Sequence, residues 1–193
     1  MVIIDSYIKN CVVLDIETTG LNPEENAKII EIGAVKVKDH KIVDKYHTLI
    51  NPECEIPLDT LRLCEGLEQE QNKIYQSPKI EDIREEFLKF IEDLPLICHN
   101  SDFEEGFLKK YISGISQKFL DSCELACIVE PQLDAHKIDH LGKVIFDSKS
   151  YKENHRALDD AEDTLKILNC VWQDKIPENG KKFIQHPNSR FSN

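Results

Sequence analysis

The run Val12-Val13-Leu14-Asp15-Ile16-Glu17-Thr18-Thr19-Gly20 places two carboxylates two residues apart in an apolar stretch that ends in a turn. Read as a strand over 12–17, its period of two sends Asp15 and Glu17 to one face, about 7 Å apart along the sheet. Half-buried like charges repel, and one would be driven neutral unless a cation compensated them. A divalent metal stabilises both as anions, so the pair predicts a metal site built from oxygen ligands.

Two further segments offer chemistry. In His155-Arg156-Ala157-Leu158-Asp159-Asp160-Ala161 a helix beginning near Ala157 has the apolar stripe Ala157, Ala161, Thr164, Leu165 and Leu168. Asp160 falls on the edge of that stripe and Asp159 points away. His155 precedes the first turn and therefore belongs to a loop above the site. A histidine near a carboxylate and a metal suits a general base, because its unperturbed pKa lies close to neutrality. An acid in a first helical turn is also explained by the helix dipole alone, and His155 as an ordinary surface residue. In His99-Asn100-Ser101-Asp102-Phe103-Glu104 the helix that opens carries Phe103, Phe107, Leu108 and Tyr111 on its apolar arc. Glu104 lies within that arc and Asp102 roughly opposite, which makes Glu104 the better inward ligand. Two plainer roles stay open: Ser101-x-x-Glu104 spells a capping box, and Asp102 is by default a helix cap.

The elements that must position these residues follow from apolar periodicity. Runs rich in Val and Ile at 11–17, 28–37 and 41–50 predict three strands in an antiparallel meander, with Asp39-His40 as a hairpin turn. Helices are predicted over 59–70 and, more strongly, Ile80 to Asp93, where Ile80, Ile83, Phe87, Phe90 and Ile91 recur at helical spacing. A short buried strand at 95–98, a helix over 102–112, a strand at 119–121 and helices over 122–130, 137–146 and 157–171 complete the pattern. Such alternation predicts an α/β fold with a central mixed sheet and helices on both faces. One domain over 1–173 accounts for this length, and 174–193, with two prolines and four basic against two acidic side chains, reads as a C-terminal tail, either a linker or a partner-binding extension.

Composition narrows the function classes. A hydrophobic fraction of 40% and a charged fraction of 31% are those of a globular protein rather than a disordered one. No apolar run approaches a membrane span, and Met1-Val2-Ile3-Ile4-Asp5 is too short for a signal peptide, so the expectation is a cytoplasmic protein without a membrane role. Seven scattered cysteines predict reduced thiols, most of them small core residues; Cys123 and Cys127, four apart on a helix, lack the nearby His or Cys pair that a zinc site needs. The net charge of -12 argues against a basic nucleic-acid surface, so any grip on nucleic acid would be weak unaided and salt-sensitive.

Taken in order, Asp15-Ile16-Glu17-Thr18-Thr19-Gly20-Leu21, Ile30-Glu31-Ile32-Gly33-Ala34, Asn51-Pro52-Glu53-x-x-Ile56-Pro57, His99-Asn100 with Phe107-Leu108, and His155-Arg156-Ala157-Leu158-Asp159-Asp160-Ala161 resemble the successive motifs of the DEDDh exonucleases, which include epsilon-type proofreading subunits and ribonuclease T. The likeness spans about residues 10 to 171. It implies a ribonuclease H-like fold and 3′→5′ hydrolysis of nucleic acid by two Mg²⁺ or Mn²⁺ ions. Asp15 would bridge the ions, Glu17 and Asp160 would hold the first, Glu104 would steady the second, and His155 would deprotonate the attacking water. Thr18, Thr19, Gly20 and Leu21 would cradle the 3′-terminal nucleotide, and His99 and Asn100 belong to the same substrate-binding set. One position departs from the family pattern His-Asn-x-x-Phe-Asp: Glu104 stands where an aspartate is expected, moving the carboxylate by more than about 1 Å, where catalysis is sensitive to placement. A tolerated Glu104 with altered rate or metal preference is the expectation. The resemblance thus implies a 3′→5′ exonuclease acting on single-stranded DNA or DNA 3′ ends and releasing nucleoside 5′-monophosphates, with a polymerase, helicase or repair protein as the kind of partner expected. A small exoribonuclease and a catalytically weak nucleic-acid-binding scaffold are the alternatives.

Overall fold

The computed structural model describes residues 7–146 and 148–172. Its centre is a mixed five-stranded sheet of order β3-β2-β1-β4-β5. Three strands, β1 (Asn10–Thr18), β2 (Ile29–Lys38) and β3 (Lys41–Leu49), form the antiparallel meander. The turn between β2 and β3 has positive φ at both Asp39 and His40, the geometry that matches strand twist in a two-residue hairpin. Beyond β1 lie the two short strands β4 (Leu96–Cys98) and β5 (Phe119–Asp121), each parallel to its neighbour.

Alternation along β1 divides the core. Val12, Leu14 and Ile16 point to one face, where they meet Ile83, Phe87 and Phe90 of α3 (Ile80–Ile91) and Phe107 and Leu108 of α4 (Ser101–Tyr111). Cys11 and Val13 point to the other, against Leu165 and Leu168 of the helix Ala157–Trp172, designated α7. A third cluster joins α7 through Ile167 and Val171 to Ala126 of α5 (Ser122–Val129) and to Leu141 and Val144 of α6 (Ile138–Ile145). The fold is the α/β arrangement of the ribonuclease H-like class, with helices on both faces. Among the described residues no helix is long and apolar enough to cross a membrane. Residues 174–193, expected to be a tail, lie outside the described ones.

Two expectations are corrected. The helix expected over 59–70 is two helices, α1 (Leu58–Leu63) and α2 (Leu67–Gln76). Gly66 breaks it by adopting φ +79, and the corner so formed turns Cys64 inward to Glu17. The cysteines are all free thiols, but only Cys11, Cys64 and Cys98 are buried; Cys54 is exposed and Cys123, Cys127 and Cys170 are half-buried.

Candidate active site

Because β1, β4 and β5 are parallel, their carboxyl ends open to one edge of the sheet, and the expected site residues gather there. Asp15 and Glu17 project from the end of β1 on the α7 side, both half-buried. Glu104 enters from the first turn of α4, which follows β4 directly, and is only 3% exposed. Asp160, 1% exposed, comes from the first turn of α7, whose stripe Ala157, Ala161, Thr164, Leu165 and Leu168 is buried throughout. Asp159 and Asp102 face solvent.

Ligand atoms of Glu17, His155 and Asp160 lie within 4.8 Å of one another. Asp15 is an electrostatic neighbour of Glu17, Glu104 and Asp160 and of a further acid, Glu153. Burial together with these like charges holds Asp15 well above the usual carboxylate range. Burial raises Glu17, Glu104 and Asp160 to about 8 each, with Asp160 acting on Glu17, Asp121 on Glu104 and Glu153 on Asp160. Opposing this at Glu17 is a hydrogen bond that the Cys64 thiol donates to Oε2 at 3.3 Å. Oε2 of Glu104 and Oδ2 of Asp160 are buried without a hydrogen-bond partner.

Buried oxygens without partners in a crowd of like charges are costly, and a hard divalent cation answers both defects at once. The donor set fits such an ion, which makes the cluster a candidate divalent-cation site. His155, next to it with φ +53, has its pKa lowered by burial, which keeps the imidazole neutral and able to accept a proton near pH 7. Its Nδ1 lies 4.0 Å from Glu153 Oε1.

The start of α4 is not built as a capping box. Its N-cap is Asn100 at φ +80, with no side-chain cap bond. Asp121, at the end of β5, instead accepts the N–H groups of Asn100 and Ser101 at 3.2 and 2.8 Å and those of Cys123 and Glu124 at 2.7 and 3.2 Å, capping α4 and α5 together. Glu104 and Asp102 are thereby both relieved of the capping role. His99 spends both ring nitrogens inside the protein, Nδ1 on Ser122 Oγ at 2.9 Å and Nε2 on the His136 carbonyl at 2.7 Å. On the opposite lip, Thr18 Oγ1 donates to the Gly20 carbonyl at 2.6 Å and Thr19 Oγ1 accepts the Lys28 N–H at 2.9 Å. A Cβ on Gly20 would press on Ala27 at 3.3 Å, and Leu21 beside it is 87% exposed.

Sequence reasoning gave no role to Glu31, Cys64, Asp121, Glu153 or Arg156. Glu31 carried a signal: a lone acid in the Val- and Ile-rich stretch of β2 must be buried, hence paired. Its partner is Arg156.

Sheet order, strand-end carboxylates and helix-start acids together define an α/β protein of the ribonuclease H-like class with a candidate divalent-cation site. Comparison narrows this: the family model described as Exonuclease matches residues 12–168, and the chain belongs to that exonuclease family. It is 36% identical over 168 residues to a PolC-type DNA polymerase III of Clostridium perfringens, a match covering 85% of this chain and 11% of that protein. The chain thus spans about a ninth of the length of the PolC-type relative. It is also 32% identical over 159 residues to the DNA polymerase III subunit epsilon of Rickettsia felis, covering 78% of this chain and 68% of that subunit. Among solved structures, the nuclease domain of 3′hExo, a DEDDh family member bound to rAMP, shares the fold with a TM-score of 0.69 at 18% identity, over 89% of this chain and 96% of that one.

Proposed function

We propose that the chain is a metal-dependent 3′→5′ exonuclease that hydrolyses the terminal phosphodiester of single-stranded DNA or DNA 3′ ends and releases nucleoside 5′-monophosphates. The observation that carries this reading is the meeting of His155 with Glu17 and Asp160 within 4.8 Å, beside the two further carboxylates Asp15 and Glu104. These four acids would hold two divalent cations, Mg²⁺ or Mn²⁺. Such a pair, when bound, neutralises charge on the scissile phosphate and lowers the pKa of the attacking water.

The chain's own groups do the rest. His155, neutral because it is partly buried, takes the water proton on a ring nitrogen as the phosphorus is attacked. Thr18, Thr19 and Gly20 form a turn stiffened by internal hydrogen bonds, so it cradles the 3′ nucleotide mainly with backbone, and exposed Leu21 offers its apolar side chain to the base. With both nitrogens of His99 engaged internally, its part is to hold Asn100, which faces solvent at the start of α4. The DNA polymerase relatives support DNA as substrate and a polymerase as partner. The net charge of -12 accords with delivery of substrate by that partner rather than by unaided attraction.

The test is incubation with 5′-labelled single-stranded DNA and RNA in Mg²⁺ or Mn²⁺, with Asp15→Asn as control. A ladder shortening from the 3′ end of DNA and absent in the variant is the expected result. A ladder on RNA alone moves the reading to a small exoribonuclease, and none in either metal to a nucleic-acid-binding scaffold.

A further inference from the structure

Glu31 stands directly across from Glu17 in the β1–β2 register, so the two side chains share the face on which α7 packs. At 1% exposure it is a buried anion beside a carboxylate of the candidate cation site. Arg156 grips it with both arms of the guanidinium: Nε lies 3.1 Å from Oε2 and 3.3 Å from Oε1, and Nη2 lies 3.2 Å from Oε1. His47 Nε2 approaches Oε1 at 2.6 Å. The same guanidinium donates from Nη1 to the Glu65 carbonyl at 3.2 Å and from Nη2 to Glu70 Oε2 at 3.1 Å.

Those bonds converge on the segment that carries the chemistry. Arg156 follows His155, and its carbonyl accepts the Asp160 N–H at 2.9 Å, closing the first turn of α7. Upstream, the Asn154 carbonyl accepts the Glu65 N–H at 2.8 Å, and Asn154 Oδ1 accepts the Arg156 N–H at 3.1 Å. His155, between these anchors, is held at φ +53, a backbone region that non-glycine residues seldom occupy without support. Further along, a Cβ on Gly33 of β2 would lie 2.0 Å from the Leu158 nitrogen, so the first turn of α7 rests directly on the strand.

We propose that Arg156 is a positioning residue: its two-armed grip on Glu31 fixes the His155 loop and the Asp160 turn over Glu17, and the fork shape, beyond the charge, is what it contributes. The inference rests on the proposed exonuclease reading. Lysine supplies the charge as a single point without the planar fork, so Arg156→Lys separates neutralisation of Glu31 from positioning.

The experiment compares wild type with Arg156→Lys in the full chain. It measures kcat and KM on a 5′-labelled DNA strand, Mn²⁺ affinity by calorimetry, and fold by circular dichroism. A folded variant with kcat lower by about 10- to 100-fold, KM unchanged and weakened Mn²⁺ binding is expected, the usual size of effect for a residue that orients metal ligands. Wild-type kcat and Mn²⁺ affinity in the folded variant, or a change in KM alone, overturns the proposal. Should Arg156→Lys not fold, the pair Glu31→Gln with Arg156→Gln removes both charges together, and wild-type kcat there overturns it equally. A wild type without nuclease activity overturns the functional reading instead. Mn²⁺ affinity then decides the positioning role: weaker in the variant supports it, equal contradicts it.

Discussion

Two helix starts each deliver one fully buried carboxylate to the same edge of the sheet, and they are built differently. At α4 the chain passes through Asn100 at φ +80 and supplies Glu104; before α7 it passes through His155 at φ +53 and supplies Asp160. Neither turn uses glycine, and in both the acid leaves one oxygen without a partner. The α4 start is fixed from outside by an anion, since Asp121 takes the free backbone N–H groups of two helices at once. The segment leading into α7 is fixed by a cation of its own, Arg156, on the anion Glu31. The difference follows from what each start carries. One start brings a single residue, Glu104, into the carboxylate cluster, whereas the other must hold two, Asp160 and His155, in register, and it has the more heavily tethered loop.

This contrast can be broken from the α4 side. Glu104→Asp retracts the carboxylate by one methylene, and the expected outcome is a rate changed by roughly tenfold with a shifted Mg²⁺ to Mn²⁺ preference. Asp102→Ala, on the solvent face of the same turn, is expected to leave kcat as it was. Steady-state kinetics in both metals checks the pair, and the reverse pattern would make Asp102 the working carboxylate. A smaller effect is expected from Asp121→Ala, which leaves two helix starts uncapped. The cost is about 2 kcal/mol, seen as a thermal midpoint lower by roughly 4–8 °C. A midpoint equal to wild type would mean that the α4 start is held by packing alone.

The comparison also shows what a sequence discloses. Strand period placed Asp15 and Glu17 on one face, and helical period sorted Asp160 from Asp159 and Glu104 from Asp102; the structure agrees at every one of these positions. These are local matters, settled by the direction of a side chain within its own element. The Asp121 cap and the Glu31–Arg156 pair join residues 20 and 125 positions apart, and only the folded sheet brings them together. The same holds for the corner at Gly66. Helical spacing continued through it, and the extended backbone of Cys64 followed by the positive φ of Gly66 separates α1 from α2. The Asn51-Pro52 segment, legible as a motif, serves structure: Asn51 Nδ2 donates to the Tyr75 carbonyl at 2.7 Å, and Ile56 is buried.

The carboxylates from β1, α4 and α7 are gathered at one edge of the sheet, in an arrangement that suits a divalent cation. Glu17, Glu104 and Asp160 have pKa values raised to about 8 by burial among like charges. The folded, metal-free protein therefore keeps protons that the unfolded chain releases above about pH 4, and its stability should fall as pH rises from about 4 to 8. A bound cation removes that penalty, because it favours the ionised form. The deciding measurement is the thermal midpoint against pH, with chelator and with Mn²⁺, for wild type and Asp160→Asn. The expected result is a midpoint that declines toward pH 8 in chelator, a Mn²⁺ stabilisation that grows over the same range, and its loss in the variant. A metal-free midpoint that rises toward pH 8, or a wild type indifferent to Mn²⁺ at pH 8, would contradict it.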